Sequence, residues 1–158
     1  ILQYRLDGRM LHGQVSSFAR ALNIEQFVVV NEKTANDDTQ IMLLELAALN
    51  ADVEVLSPED ALDFLKSGEC DDVRTMVVFK EIFDVVDLVK LGYEEMKECV
   101  ISGMYAKDGE NKVKAEASLF VDEKDKDAFR YLEDHGVVLT HQISPEYNKK
   151  YVHDLVKF

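Results

Sequence analysis

Short runs of β-branched and other apolar residues alternate along this chain with longer stretches in which apolar residues recur every three or four positions. Residues 1–6 read as a strand. Val15, Phe18, Ala19 and Leu22 fall at i, i+3, i+4 and i+7, which predicts an amphipathic helix over 14–22. Residues 26–31 form an unbroken run typical of a strand buried on both faces. Residues 31–38 are polar and turn-like, with Asp37 or Asp38 placed to cap a helix carrying Ile41, Leu44 and Ala48. The broad apolar coverage of that helix predicts packing on a sheet.

Residues 52–56 alternate and predict a third strand. Ser57-Pro58-Glu59-Asp60 is a helix start with a serine cap, a first-turn proline and two acids, and Gly68 ends that helix. A strand over 75–79, a helix over 82–91 closed by Gly92 and a short strand over 99–101 follow. The pattern then changes. Residues 104–107 and 113–117 flank Asp108-Gly109-Glu110-Asn111, which reads as an irregular hairpin or excursion. Residues 122–135 read as a helix ended by Gly136, with a solvated acidic and basic start. Residues 137–142 read as a last strand, and a tail after Pro145 reads as helical through Tyr147, Tyr151, Val152 and Leu155.

Alternating β and α elements with short connections predict an α/β fold. We expect three α/β/α layers around a mostly parallel open sheet of about six strands, plus a small hairpin or antiparallel edge. Residues 1–158 read as one domain. In such a sheet, ligands bind beyond the carboxyl ends of the strands. That places 7–13, 31–38, Ser57, Lys80 and 102–104 in one pool of candidate site residues.

Charge and composition narrow the partners. The net charge of −13, from 18 basic and 31 acidic residues, argues against nucleic-acid binding and against anionic lipid surfaces. No apolar run is long enough to span a membrane, and no signal-peptide pattern is seen, so a cytoplasmic location is expected. Cys70 and Cys99 have neither metal-ligand nor redox spacing and read as reduced thiols. The histidines have no metal-ligand spacing, so no metal site is expected.

The candidate chemistry sits between the first strand and the first helix, in Arg5-Leu6-Asp7-Gly8-Arg9-Met10-Leu11-His12-Gly13-Gln14-Val15. The first backbone N–H groups of a helix have no intrahelical partner, and the aligned peptide dipoles favour an anion there. Arg9 adds a planar fork suited to phosphate oxygens. His12 supplies a ring nitrogen of a type that is largely unprotonated near neutral pH. Together these features suit a phosphoryl group accepted by His12. Gly8 and Gly13 allow tight turning or close backbone approach. Asp7 orients the histidine ring or Arg9, or only structures the loop. Ser102 and Gly103 offer a hydroxyl and an N–H to phosphate, or only end a strand. Lys80 faces the site or snorkels to the surface.

This motif resembles the signature R-[IV]-D-x-R-[LM]-[IL]-H-G-Q-V, which opens the IIB component of the mannose/fructose/sorbose family of the bacterial sugar phosphotransferase system. Ser102-Gly103-Met104, followed by Val121-Asp122-Glu123-Lys124-Asp125 and Ala128-Phe129, resembles the later half of the same family. The order and spacing agree over nearly the whole chain. The resemblance implies that His12 carries the phosphoryl group on Nδ1 and that Arg9 binds it. Asp7, Gly8, Gly13, Gln14, Ser102 and Gly103 then become phosphate-binding or supporting residues. It also implies a IIA domain as donor and sugar-bearing IIC/IID membrane components as acceptor, met transiently at the inner membrane face, with neither cofactor nor metal. Many family members carry a second aspartate where this chain has Gly8, so a carboxylate there is not required.

Mannose, fructose, sorbose and N-acetylgalactosamine all stay open as sugars, and self-association is not readable from the sequence. A phospho-receiver module is a poor alternative. It needs an acidic pair after the first strand and an acceptor aspartate after the third, whereas this chain has only Asp7 and ends the third strand Leu56-Ser57. A catalytically silent regulatory or sugar-binding domain of the same fold is the other alternative, and the presence of both Arg9 and His12 argues against it.

Overall fold

A computed structural model describes residues 1–158, the side chain of Gln14 excepted. The elements run β1 (Gln3–Asp7), α1 (Gln14–Leu22), β2 (Gln26–Val30), α2 (Glu32–Ala35), α3 (Asp38–Ala47), β3 (Asp52–Leu56), α4 (Pro58–Lys66), β4 (Thr75–Phe79) and α5 (Ile82–Lys90). They continue through β5 (Glu98–Gly103), β6 (Val113–Glu116), β7 (Leu119–Val121), α6 (Glu123–Asp134), β8 (Val138–His141), β9 (Lys150–Tyr151) and α7 (Val152–Leu155). The sheet order is β3-β2-β4-β1-β5-β8-β9. The first six strands in that order pair in parallel, and β9 joins antiparallel at the edge. This is the expected α/β/α architecture.

Strand residues divide by parity between two apolar cores, as side chains alternate across a sheet. Phe27, Val29, Met76 and Val78 pack with Val15 and Phe18 of α1 and Leu44 of α3. Leu6, Val28, Val30, Val77 and Phe79 pack on the opposite face with residues of α4, α5 and α6. β1 lies in the middle of the sheet. Its connection leads to β2 by way of α1 on one face, while that of β4 leads across β1 to β5 by way of α5 on the other. The connections therefore diverge at the carboxyl ends of β1 and β4 and leave a crevice there.

The caps follow the sequence. Asp37 accepts from the Gln40 N–H at 3.2 Å, and Ser57 accepts from the Asp60 N–H at 3.2 Å ahead of Pro58. Several expectations need correction. The polar stretch after β2 is not all turn: Asn31 accepts from the Thr34 N–H at 3.0 Å and starts the short α2. The apolar coverage of α3 is only partly used, since Leu44 is buried on the sheet whereas Met42, Leu43 and Leu46 are exposed. The hairpin turns at Ala117-Ser118, where Ser118 takes a left-handed φ of 61°, and not at 108–111. The start of α6 is not fully solvated: Asp125 is buried, and its Oδ2 accepts from Lys112 Nζ at 2.9 Å and from the Asp122 N–H at 3.0 Å. The tail is not one helix, because Lys150–Tyr151 pair with β8 before the single turn of α7.

Candidate active site

The turn between β1 and α1 is held by its apolar residues. Met10 and Leu11 are buried in the core under α1, whereas the flanking Arg9 and His12 are exposed. Two backbone bonds fold the turn, from the Met10 N–H to the Asp7 carbonyl at 2.9 Å and from the His12 N–H to the Arg9 carbonyl at 3.3 Å. Met10 adopts a left-handed φ of 56°, a conformation that bulky residues rarely take and that its burial holds in place. Gly13 precedes α1 with φ 62° and ψ −118°, where a side chain would be strained. Gly13 provides no side-chain cap, and the first turn of α1 contains no acidic residue, so the positive end of the helix dipole faces the loop.

Asp7 lies beneath this loop and is fully buried. Its Oδ1 accepts from the Arg9 N–H at 2.8 Å and lies 3.9 Å from Arg9 Nε. Its Oδ2 is buried without a hydrogen-bond partner. Burial pushes the Asp7 carboxyl up to about 6, against the opposing pull of the Arg9 N–H and of the charges of Arg9, Arg5 and His12. Asp7 thus takes part in the same electrostatic cluster as Arg9 and His12, and it also structures the loop through the Arg9 N–H.

Arg5 forms the floor. It is fully buried, and burial lowers it to about 9. It donates from Nε to Ser102 Oγ at 2.7 Å, from Nη1 to Gln3 Oε1 at 2.8 Å and from Nη2 to the Gln142 carbonyl at 2.6 Å, with its Cζ 3.3 Å from the Phe18 ring centroid. The fork of donors satisfies a buried charge and joins β1, β5 and the end of β8 under the loop. Ser102 is therefore committed to Arg5 beneath the turn. Gly103 accepts from the Gly8 N–H at 3.0 Å and ties β5 to the loop.

The structure brings Asp7, Gly8, Arg9, His12, Gly13 and Gly103 together, with Ser102 one layer below. The Gln14 side chain lies outside the described residues. Lys80 is half-buried and lines a cleft of ≈ 230 Å³ with Gly8, Phe83 and Tyr105, beside the loop at the carboxyl ends of β1 and β4. Among the described residues no cluster of three or more His, Cys, Asp or Glu side chains could hold a metal. Tyr105 and the anchoring role of Arg5 went unrecognised in the sequence. The available signal was an aromatic residue directly after Ser102-Gly103-Met104 and a second arginine at the start of the motif.

Comparison with known proteins decides the family. The family model described as "PTS system sorbose subfamily IIB component" matches residues 1–158. The chain belongs to this family. Among relatives of this IIB component, the PTS system sorbose-specific EIIB component of Klebsiella pneumoniae is 30% identical over 137 residues, covering 85% of this chain and 82% of that protein. The PTS system mannose-specific EIIAB component of Escherichia coli K12 is 28% identical over 85% of this chain but only 42% of its own length. The crystal structure of the IIBSor domain of the Klebsiella pneumoniae sorbose permease superposes with a TM-score of 0.86 at 26% identity, covering 97% of this chain and 93% of that one. Such relatives indicate a phosphotransferase role for this IIB chain. No helix of the described residues is long and apolar enough to cross a membrane.

Proposed function

We propose that residues 1–158 act as one IIB domain that takes a phosphoryl group from a phosphohistidine on a IIA domain and passes it to a sugar hydroxyl presented by IIC/IID membrane components. The supporting observation is the exposure of Arg9 and His12 together on a loop pinned by buried Met10 and Leu11, at the uncapped start of α1. In the first step the lone pair of the His12 ring nitrogen forms the new N–P bond. The donor ring keeps the electron pair of the bond that breaks and takes up a proton, and the proton on the other nitrogen of His12 is released. In the second step a sugar oxygen attacks phosphorus and loses its proton, while the His12 ring leaves with the electron pair of the N–P bond and takes up a proton.

Neither step requires the chain to do covalent chemistry beyond the histidine. Rate enhancement then comes from position and charge. Arg9 and the first amides of α1 would hold the equatorial oxygens, and buried Asp7, through the Arg9 N–H, would hold the loop. The sugars handled by the family are the acceptor class, with specificity resting mainly on the membrane components.

The test is phosphoryl transfer from phosphoenolpyruvate through the general phosphotransferase proteins and a cognate IIA, with native chain beside His12→Gln. The expected result is acid-labile, base-stable label on the native chain and none on the variant. Label persisting on His12→Gln would move the carrier elsewhere. No label on either chain, with a verified donor, would favour the catalytically silent domain.

A further inference from the structure

We propose that Tyr105 is a positioning residue for phosphoryl transfer, its ring seated over Gly8 and Gly103 and holding the Arg9 guanidinium against the start of α1; this rests on the roles given above to His12 and Arg9.

Three glycines make room for two side chains. A Cβ on Gly8 would lie 3.1 Å from Tyr105 Cδ2, and one on Gly103 would lie 2.6 Å from Tyr105 Cε2 and collide with the hydroxyl oxygen. Neither glycine has a positive φ, so space for the ring, not backbone conformation, is what glycine provides there. A Cβ on Gly13 would lie 3.0 Å from Arg9 Nη2. The Arg9 Cζ is 5.1 Å from the centroid of the Tyr105 ring. The guanidinium therefore runs from the face of Tyr105 to the backbone at the beginning of α1, where the dipole places partial positive charge.

The seat of the ring is not set by its hydroxyl, which is buried without a hydrogen-bond partner. Burying a hydroxyl unpaired is unfavourable, so the position is held by ring contacts. A long arginine side chain has many rotamers, and a platform on one side reduces the number it samples before a phosphoryl group arrives. Small misplacements of a charge-stabilising group slow transfer steeply. Tyr105 thus acts through Arg9 and touches no reacting atom.

The experiment measures initial rates of label transfer from phospho-IIA to the native chain, Tyr105→Leu and Tyr105→Phe, and repeats the Tyr105→Leu comparison in an Arg9→Lys background. Tyr105→Leu should lower kcat about tenfold with KM for phospho-IIA changed less than about twofold, and Tyr105→Phe should stay within about twofold of native. In the Arg9→Lys background, where the flat cation is gone, Tyr105→Leu should change the rate by less than about twofold. Should Tyr105→Leu melt below the assay temperature, Tyr105→Gln replaces it, keeping length without a ring face.

Equal rates for native and Tyr105→Leu overturn the proposal. So does equal slowing in both Arg9 backgrounds, or an effect on KM alone, which would make the ring part of the IIA contact. A Tyr105→Phe as slow as Tyr105→Leu overturns it in favour of a hydroxyl bonded directly to the phosphoryl group. A native chain that takes no label refutes the phosphoryl-transfer reading itself, whereas a native chain that labels normally while any of these results holds refutes only the role of Tyr105.

Discussion

Asp7→Asn should make the chain's stability depend less on pH, and the size of the change follows from burial. An aspartate in an unfolded chain titrates at about 3.9. In the folded chain burial raises Asp7 to about 6. Between those values the native state holds a proton that the unfolded state has already lost. Stability from this group therefore falls as pH rises from 4 through 6, and the loss is complete above 6. The displacement corresponds to about 3 kcal/mol, since one pH unit is about 1.4 kcal/mol. Asp84, buried and also raised to about 6, adds a trend of the same sign, but it is present in both chains and cancels in their difference.

Asparagine keeps an oxygen to accept from the Arg9 N–H, now 2.8 Å from Oδ1, and removes the ionisation. The stability of Asp7→Asn relative to native should thus rise by about 3 kcal/mol between pH 4 and pH 7.5 and be flat outside that window. Urea unfolding at each pH reads this directly, and in thermal melts it should appear as a relative gain of about 6–12 °C for a chain of this size. An offset between the two chains that is the same at pH 4 and pH 7.5 would show that Asp7 titrates at its ordinary value and that its burial is not felt as a desolvation cost.

Two further outcomes are expected. Ser102→Ala should destabilise by about 1.5–3 kcal/mol in urea unfolding, because Arg5 Nε loses its 2.7 Å acceptor inside the sheet; an unchanged midpoint would mean that another acceptor takes its place. Lys112→Met should cost about 3 kcal/mol at pH 7 by leaving buried Asp125 without its cation, and the loss should shrink in acid as that carboxylate protonates; a loss equal at pH 4 and pH 7 would assign it to packing instead.

What was legible in the sequence depended on neighbours along the chain. The helix of Val15, Phe18, Ala19 and Leu22, the caps at Asp37 and Ser57 and the stops at Gly68, Gly92 and Gly136 are local matters of period and cap chemistry. The β/α alternation was enough for the layered parallel sheet, since parallel strands need crossovers. The loop motif was also legible, because Arg9 and His12 act within one turn of each other. Tail residues 145–155 were misread because the pairing of Lys150–Tyr151 with β8 overrides a weak helical period, and partners distant in the chain are invisible to a local pattern.

The sequence alone determined the order of the elements, the family resemblance and the pairing of a histidine with an arginine at a helix start. Tertiary structure decided the rest of the site. Ser102 accepts from Arg5 beneath the loop because Arg5, fully buried, must satisfy its donors, and a buried charge takes whatever acceptors the sheet brings near. Asp7 loses its solvent only when β4 and β5 close on either side of β1. Gly8 and Gly103, 95 positions apart by their numbers, become a seat for Tyr105 only when β1 and β5 pair. Burial, desolvation and close packing are properties of assembled surfaces, and no stretch of chain carries them before it folds.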